Sequence, residues 1–216
     1  NFGFYYAPDP SSQKACTIGG NIATNAGGPH TLLYGVTTNH VLGIEFVTMD
    51  GTLVTTSGLA DAPGYDITGL ICGSEGTLGI VTKATVQLLR SPAAVKTLLA
   101  SFDSVASCSA AVSGIVAAGV VPAAVEMMDQ LALEAISQFI PQANLPTDAA
   151  AVLLLDLDGV PSELEEQEAS IRAVLQNTEA RAIRVARDAV ERDLFWLGRK
   201  HAFGAVGRIS PDYYVQ

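Results

Sequence analysis

The stretch CTIGGNIATNAGG, from Cys16 to Gly28, carries four glycines, two asparagines and two threonines among a few apolar side chains. It lacks the apolar stripe of a core helix, and its pattern is too ordered for a flexible linker. Glycine reaches positive φ and lets another group approach the main chain closely. Free N–H groups at a turn or helix start attract anions. The segment therefore reads as a nest and helix opening that can hold a phosphate or pyrophosphate, with Thr17, Asn21, Thr24 and Asn25 as neutral donors. A second cluster, GSEGTLGI from Gly73 to Ile80, repeats glycine every third residue. Neither cluster is GxGxxG or a P-loop, since no GK[ST] follows and no strand leads in at the right spacing. On the residues alone two readings stand, an anion cradle and a set of turn-rich structural loops.

Composition narrows what such a cradle can serve. With 49% hydrophobic and 16% charged residues, the chain has the makings of a buried core. A net charge of −10 argues against nucleic acid and against an anionic membrane surface. Any anionic ligand must be held by local donors against the overall field. Cys16, Cys72 and Cys108 show no CxxC spacing, so neither a disulfide framework nor a zinc site is predicted. Buried free thiols in a reducing compartment are expected instead, and no metal ligand is assigned. No basic segment followed by an apolar one opens the chain, and runs such as AAVLLLDL are too short to cross a bilayer. The expectation is a cytoplasmic protein without a transmembrane segment, any membrane association coming through partners. The opening NFGFYYAPDP, without an initiator Met, and the ending SPDYYVQ read as the edges of a fragment.

The two halves differ in chemistry. Residues 1–90 hold 14 of the 20 glycines but only nine Asp, Glu, Lys or Arg. Ser91-Pro92 favours an extended or turning chain, and the domain boundary is placed there, giving 1–90 and 91–216. In the first half, VLGIEFVTMDGTLVTT predicts two strands joined at Asp50-Gly51, and GIVTKATVQLL a further strand. Short helices are predicted at 19–25 and near 66–70. The second half predicts strands at VKTLLASF, AAVEMM, AAVLLLDL and ARAIRVA. Helices are predicted at 104–118, at 130–139, from a Ser162-x-x-Glu165 capping box to about 176, and last from Asp188-x-x-Glu191. That order implies an α+β domain with an antiparallel or mixed sheet and helices on one face.

Two long motifs, APDPSSQKACTIGGNIATNAGGPHTLLYGVTTNHVLGIEFVTMDG and PGYDITGLICGSEGTLGIVTKATVQLL, resemble the FAD-binding domain of a flavin oxidase and dehydrogenase family. The family shares the vanillyl-alcohol oxidase-type fold and includes the glycolate oxidase flavin subunit and D-lactate and D-2-hydroxyglutarate dehydrogenases. The match covers most of residues 7–90. The second half, most of all FWLGRKHAFGAVGRISPDYYVQ, is similar to the family's C-terminal cap domain. The resemblance implies a fold in which the second subdomain of a PCMH-type FAD-binding domain (1–90) is followed by an incomplete ferredoxin-like α+β cap domain (91–216). It implies FAD as cofactor. Pro8, Cys16, Thr17, Gly19, Gly20, Asn21, Thr24, Asn25, Gly27, Gly28 and Gly35 match the segment that lines the diphosphate and isoalloxazine. Glu75, Gly76, Gly79, Ile80 and Val81 match the segment facing ribose and adenine. The family's first flavin loop would lie before Asn1, and its histidine-containing C-terminal segments, which in some members bind a divalent metal, beyond Gln216.

The activity so implied is oxidation of a small D-2-hydroxy acid, of glycolate or D-lactate type, to the 2-oxo acid by hydride transfer to flavin N5. Partner subunits or a homo-oligomer are implied as well. A carboxylate substrate calls for a planar arginine fork. Arg199 matches the family position for it, with a solvated arginine near a helix end as the alternative and Arg208 as a weaker second candidate. No general base is assigned. His40 reads as a structural hydrogen-bonder, neither His30 nor His201 sits in a catalytic pair, and Glu75 reads as a carboxylate bonded within its glycine loop. Met127 and Met128 read as core, and Glu163 to Glu168 as a solvated helix face. The competing reading is a flavin-free structural or assembly subunit of the same fold. A third is a nucleotide-binding regulatory module.

Overall fold

Asp50-Gly51 closes a hairpin. In the computed structural model, which describes residues 2–10, 12–13, 15–56 and 64–209, Gly51 sits at φ 84°. There it joins β2 (Val41–Val47) to β3 (Leu53–Thr55) in antiparallel register. The Asp50 carboxylate accepts from the Thr48 hydroxyl and from the Thr52 amide, which tightens the turn. β4 (Ile80–Val86) pairs with the other edge of β2, giving the order β3-β2-β4. The short strands β1 (Phe4–Tyr5) and β5 (Leu89–Arg90) form a separate antiparallel pair.

Helix α1 (Ile18–Thr24) starts where the Thr17 hydroxyl accepts the Gly20 amide at 3.0 Å and ends at left-handed Asn25. α2 is one turn (Thr31–Tyr34), and α3 (Ile67–Ile71) is capped by Asp66 accepting from the Gly69 amide. Ile22, Val41, Ile44, Phe46 and Ile71 form the small core of this unit, which spans Asn1–Ser91.

The second unit, Pro92–Gln216, is built on longer elements. They run β6 (Ala94–Phe102), α4 (Val105–Ala117), β7 (Ala124–Asp129), α5 (Gln130–Phe139), β8 (Ala151–Gly159), α6 (Pro161–Asn177), β9 (Ala182–Val185), α7 (Ala189–Lys200) and α8 (Ala202–Ile209). The sheet is wholly antiparallel in the order β7-β8-β6-β9. With α4 and α6 as crossovers, this is the ferredoxin-like topology. α5 stands between β7 and β8 where that fold has a plain hairpin.

Three expectations are corrected. Helices lie on both faces of the sheet. Leu98, Ala100, Leu153, Leu155 and Leu157 pack with α4 and α6, whereas Leu99, Ala124, Val152 and Leu154 pack with α5, α7 and α8. Residues 151–157 are buried without a break, so both faces of β8 need cover. Ser162 is not an N-cap: α6 begins one residue earlier with Pro161 in its first turn and no side-chain cap, because proline's fixed φ and missing N–H suit that position. The helix from Asp188 is not the last, since α8 follows. The final part of the C-terminal motif, from residue 210, lies outside the described residues.

Smaller expectations resolve in the same terms. Met128 is core but Met127 is 43% exposed, as alternation along β7 requires. Cys16, Cys72 and Cys108 are free thiols, and burial pushes Cys108 up to about 11. In the Glu163–Glu168 run the glutamates are solvated except Glu168, which bridges Lys96 and Arg172 at 2.8 Å each, while Leu164 turns into the core. No helix among the described residues is long and apolar enough to cross a membrane.

Candidate cofactor cleft and substrate arginine

The loop after α3 is tied to the end of α1 through backbone alone. The Gly73 amide donates to Ile22 O at 2.9 Å and the Glu75 amide to Ala23 O at 2.8 Å. Gly73, Glu75 and Gly76 all take positive φ to make the turn. It is thus the Glu75 backbone that anchors the loop. Its carboxylate, expected to bond there, makes no hydrogen bond among the described residues, and the residue is exposed. Between this loop, α1 and the start of β4 lies a cleft of about 320 Å³. Thr17, Gly19, Gly20, Glu75, Gly76, Gly79, Ile80 and Val81 line it, together with Ala23, Ile71 and Ser74. Half of the predicted cofactor set therefore meets around one space, from positions some 55 residues apart in the chain.

The other half lies away from that lining, and most of it has internal work. A Cβ on Gly28 would run into the Asp9 backbone carbonyl, and one on Gly27 would crowd the Thr31 hydroxyl. Gly35, at φ 79°, lies against the Asn39 side chain. The Asn25 amide oxygen accepts the Thr38 N–H at 2.9 Å, and the Thr24 hydroxyl donates to Gly20 O. Asn21 is buried and donates to Cys16 Sγ at 3.5 Å, and Pro8 is buried. Gly79 has both roles: it lines the cleft, and at φ 154° its Cβ would meet Phe46 and Val47 O at 2.8 Å.

Gly19 and Gly20 differ from these. A Cβ on Gly19 would meet nothing nearer than Val81 O at 4.0 Å, and one on Gly20 only the Thr17 hydroxyl at 3.2 Å. Each costs helix α1 about 0.5–1 kcal/mol relative to alanine; packing does not ask for Gly19, and Gly20 is crowded only by the capping hydroxyl. Their bareness leaves the helix backbone open to the cleft. The Ile18 and Gly19 amides find no acceptor among the described residues. Ser74, whose Oγ is buried without a hydrogen-bond partner, belongs to the same lining. A buried hydroxyl left unpaired is unfavourable unless something completes it. Donors without charge around an open cleft suit the diphosphate and sugar of a dinucleotide such as FAD. Sequence reasoning missed Ser74, because a serine in a glycine loop gives no sign of which way it faces.

The substrate candidates lie in the second unit. Arg199, in the last turn of α7, donates from Nε at 3.0 Å and from Nη2 at 2.8 Å to one oxygen of Glu126 on β7. Its guanidinium lies over Phe203 at 5.6 Å. Arg208 lies over Phe139 at 5.1 Å. His40 is buried, with Nε2 at 2.8 Å from Tyr34 O, a structural bond. His201 Nδ1 lies 2.9 Å from Leu197 O of its own helix. His30 Nδ1, however, is 3.6 Å from Asp9 Oδ2, a pairing that a separation of twenty-one residues does not announce. Among the described residues no three His, Cys, Asp or Glu gather to hold a metal ion.

Residues 91–216 match the family of FAD linked oxidases, C-terminal domain, and residues 1–57 match the FAD binding domain family. The chain is 52% identical over 211 residues to the glycolate oxidase subunit GlcD of Escherichia coli K12, covering 97% of this chain and 42% of that protein. It is 41% identical to the subunit of the same name in Bacillus subtilis, covering 99% and 46%. A D-lactate dehydrogenase of Archaeoglobus fulgidus is 37% identical over 134 residues, 61% of this chain and 30% of that one. The chain thus spans less than half the length of these relatives. Among solved structures, alkyldihydroxyacetonephosphate synthase superposes with a TM-score of 0.74 over 96% of this chain and 39% of its own, at 20% identity, which speaks for the fold. Cleft chemistry and sequence agree on FAD as the cofactor, and the chain belongs to the FAD-linked oxidases.

Proposed function

We propose that this chain is the cofactor-cradling and substrate-capping portion of an enzyme that oxidises a small D-2-hydroxy acid, of glycolate or D-lactate type, to its 2-oxo acid. The observation that carries the proposal is the pair of helical glycines, Gly19 and Gly20, kept bare beside a cleft with an unpaired buried Ser74 hydroxyl. The names of the similar proteins supply the substrate class.

In this reading the Ile18 and Gly19 amides and Ser74 Oγ bind the diphosphate side of FAD, while Gly76 and the main chain of Ile80 and Val81 meet its sugar and adenine. The remaining predicted residues hold that surface in shape: Asn21, Thr24 and Asn25 fix α1, and Gly28 lets the chain pass Asp9. Bound FAD supplies a two-electron acceptor for the hydride leaving the carbinol carbon. Arg199 receives the substrate carboxylate, since a planar guanidinium matches two coplanar oxygens. Partner subunits are part of the proposal, because the similar proteins from E. coli and B. subtilis are named as subunits.

The test uses the full-length protein that carries this chain. It is expected to purify with visible flavin absorbance and to reduce an artificial acceptor with glycolate or D-lactate. Gly19→Val, which fills the cleft, is expected to lose most of the flavin. Protein that stays colourless after FAD is added would favour the flavin-free reading. Flavin retained in full by Gly19→Val would move the cofactor away from this cleft.

A further inference from the structure

Alternation along β7 puts Glu126 where a carboxylate is least at ease. Ala124 and Met128, two residues to either side, are buried in the core under α5, α7 and α8. The cross-strand neighbour of Glu126 is Leu154, fully buried on β8. A carboxylate on that face is costly unless a cation meets it, and a matched apolar pair would serve stability as well or better. The partner here is Arg199. Side-chain exposure is 17% for the arginine and 19% for the glutamate. In every other ion pair of this unit among the described residues, one partner is at least 31% exposed.

The contact is lopsided. Glu126 Oε2 alone takes both Nε and Nη2, in place of the two parallel bonds of a carboxylate–guanidinium fork. Nη1 has no hydrogen-bond partner among the described residues. Phe203 covers one face of the guanidinium. One edge of the planar group is thereby fixed to the sheet and one face to α8. The terminal edge, Nη1 with the outer hydrogen of Nη2, stays available to a second carboxylate.

We infer that Glu126 is a positioning residue: by gripping the Nε–Nη2 edge of Arg199 it aims the terminal edge of the guanidinium at the carboxylate of the substrate. This rests on the reading of Arg199 as the carboxylate receptor. The glutamate touches neither substrate nor cofactor and acts only through the arginine. It affects how tightly the acid is held far more than the chemical step, so its loss appears in KM before kcat.

The experiment measures KM and kcat per bound flavin for glycolate or D-lactate in the full-length enzyme. Glu126→Met keeps the volume and removes the acceptor oxygen. It is expected to raise KM on the order of tenfold and to change kcat less than about threefold. Glu126→Gln, which keeps an acceptor oxygen, is expected to recover most of that loss. In an Arg199→Ala background Glu126→Met is expected to add less than about twofold, because its route is gone. A KM within about twofold of wild type in Glu126→Met, with a large rise in Arg199→Ala, would overturn the inference and leave the arginine reading standing. The full Glu126→Met effect persisting without Arg199 would overturn it too, as would Gln failing to recover KM. An unchanged KM in Arg199→Ala would remove the arginine from the site, and the inference with it.

Discussion

Strand β4 lies at the edge of its sheet, paired only with β2, whereas β8 lies inside its sheet between β7 and β6, and their environments are opposite. Along β8 residues 151–157 are buried in unbroken succession, whereas along β4 only Val81 and Val86 are even half-buried. The C-terminal unit closes a core on each face of its sheet. The N-terminal unit packs five core residues and keeps its shape by close backbone crossings and short caps. Stability in one unit comes from buried side chains. In the other the core is smaller, and glycines such as Gly28 and Gly79 let the backbone pass at distances a side chain would block.

Leu154→Ala tests the contrast hardest. The side chain is fully buried, and its loss is expected to cost about 2–5 kcal/mol by denaturant unfolding. Ile80→Ala on β4, at a site 64% exposed, is expected to stay within about 0.5 kcal/mol of wild type. Equal costs for the two would erase the distinction between the units.

The glycines of α1 and its flanks sharpen it. Gly28→Ala must push a methyl group into the Asp9 carbonyl and is expected to cost about 1–3 kcal/mol. Gly19→Ala meets open space and a helical backbone. It is expected to stabilise the FAD-free protein by about 0.5–1 kcal/mol while weakening flavin retention. A thermal melt and a flavin titration on the same variant read both signs. A Gly19→Ala protein less stable than wild type would mean that this glycine serves packing, as Gly28 does.

These pairs also mark what the chain discloses by itself. The longer strands and helices were legible, because Asp50-Gly51, Ser104, Asp129 and Asp188 announce their turns and caps in residue type, whereas the short β1, α2 and β5 and the final α8 were not. The two-sided packing was written in AVLLLDL, whose lack of alternation means two buried faces, but the alternating order of strands and helices was read as covering one. The candidate site was legible as a set and not as roles. Gly19 and Gly28 belong to one motif, yet one faces a cleft and the other a carbonyl, and only the path of residues 8–10 separates them. Ser74 and Glu126 were missed for a related reason: the cleft wall facing Ser74 comes from residues more than 50 positions away, and the partner of Glu126 lies 73 positions away.

The smallest effect concerns charge and is read in acid. Glu191, at the start of α7, accepts the Arg187 backbone amide and the Arg187 and Arg184 guanidinium groups, each at 2.9 Å. The backbone bond first, and then the two arginines, hold its carboxyl down to about 2. In the unfolded chain a glutamate titrates near 4.3, so between roughly pH 4.3 and 2 the unfolded state binds the extra proton. The contribution is therefore complete above about pH 5 and is lost as pH falls toward 2. In the N-terminal unit Glu45 is lowered too, by Thr82 and then Lys83, but its one cationic partner, Lys83, is 75% exposed. Melting temperature followed from pH 6 to pH 2 is expected to fall less steeply in Glu191→Gln than in wild type, and Glu45→Gln is expected to change that slope less. If Glu191→Gln keeps the full slope, the acid sensitivity belongs to another carboxylate. Glu168, lowered by Lys96 and then by Arg172, is the first to examine, since it too joins a helix of the C-terminal unit to its sheet.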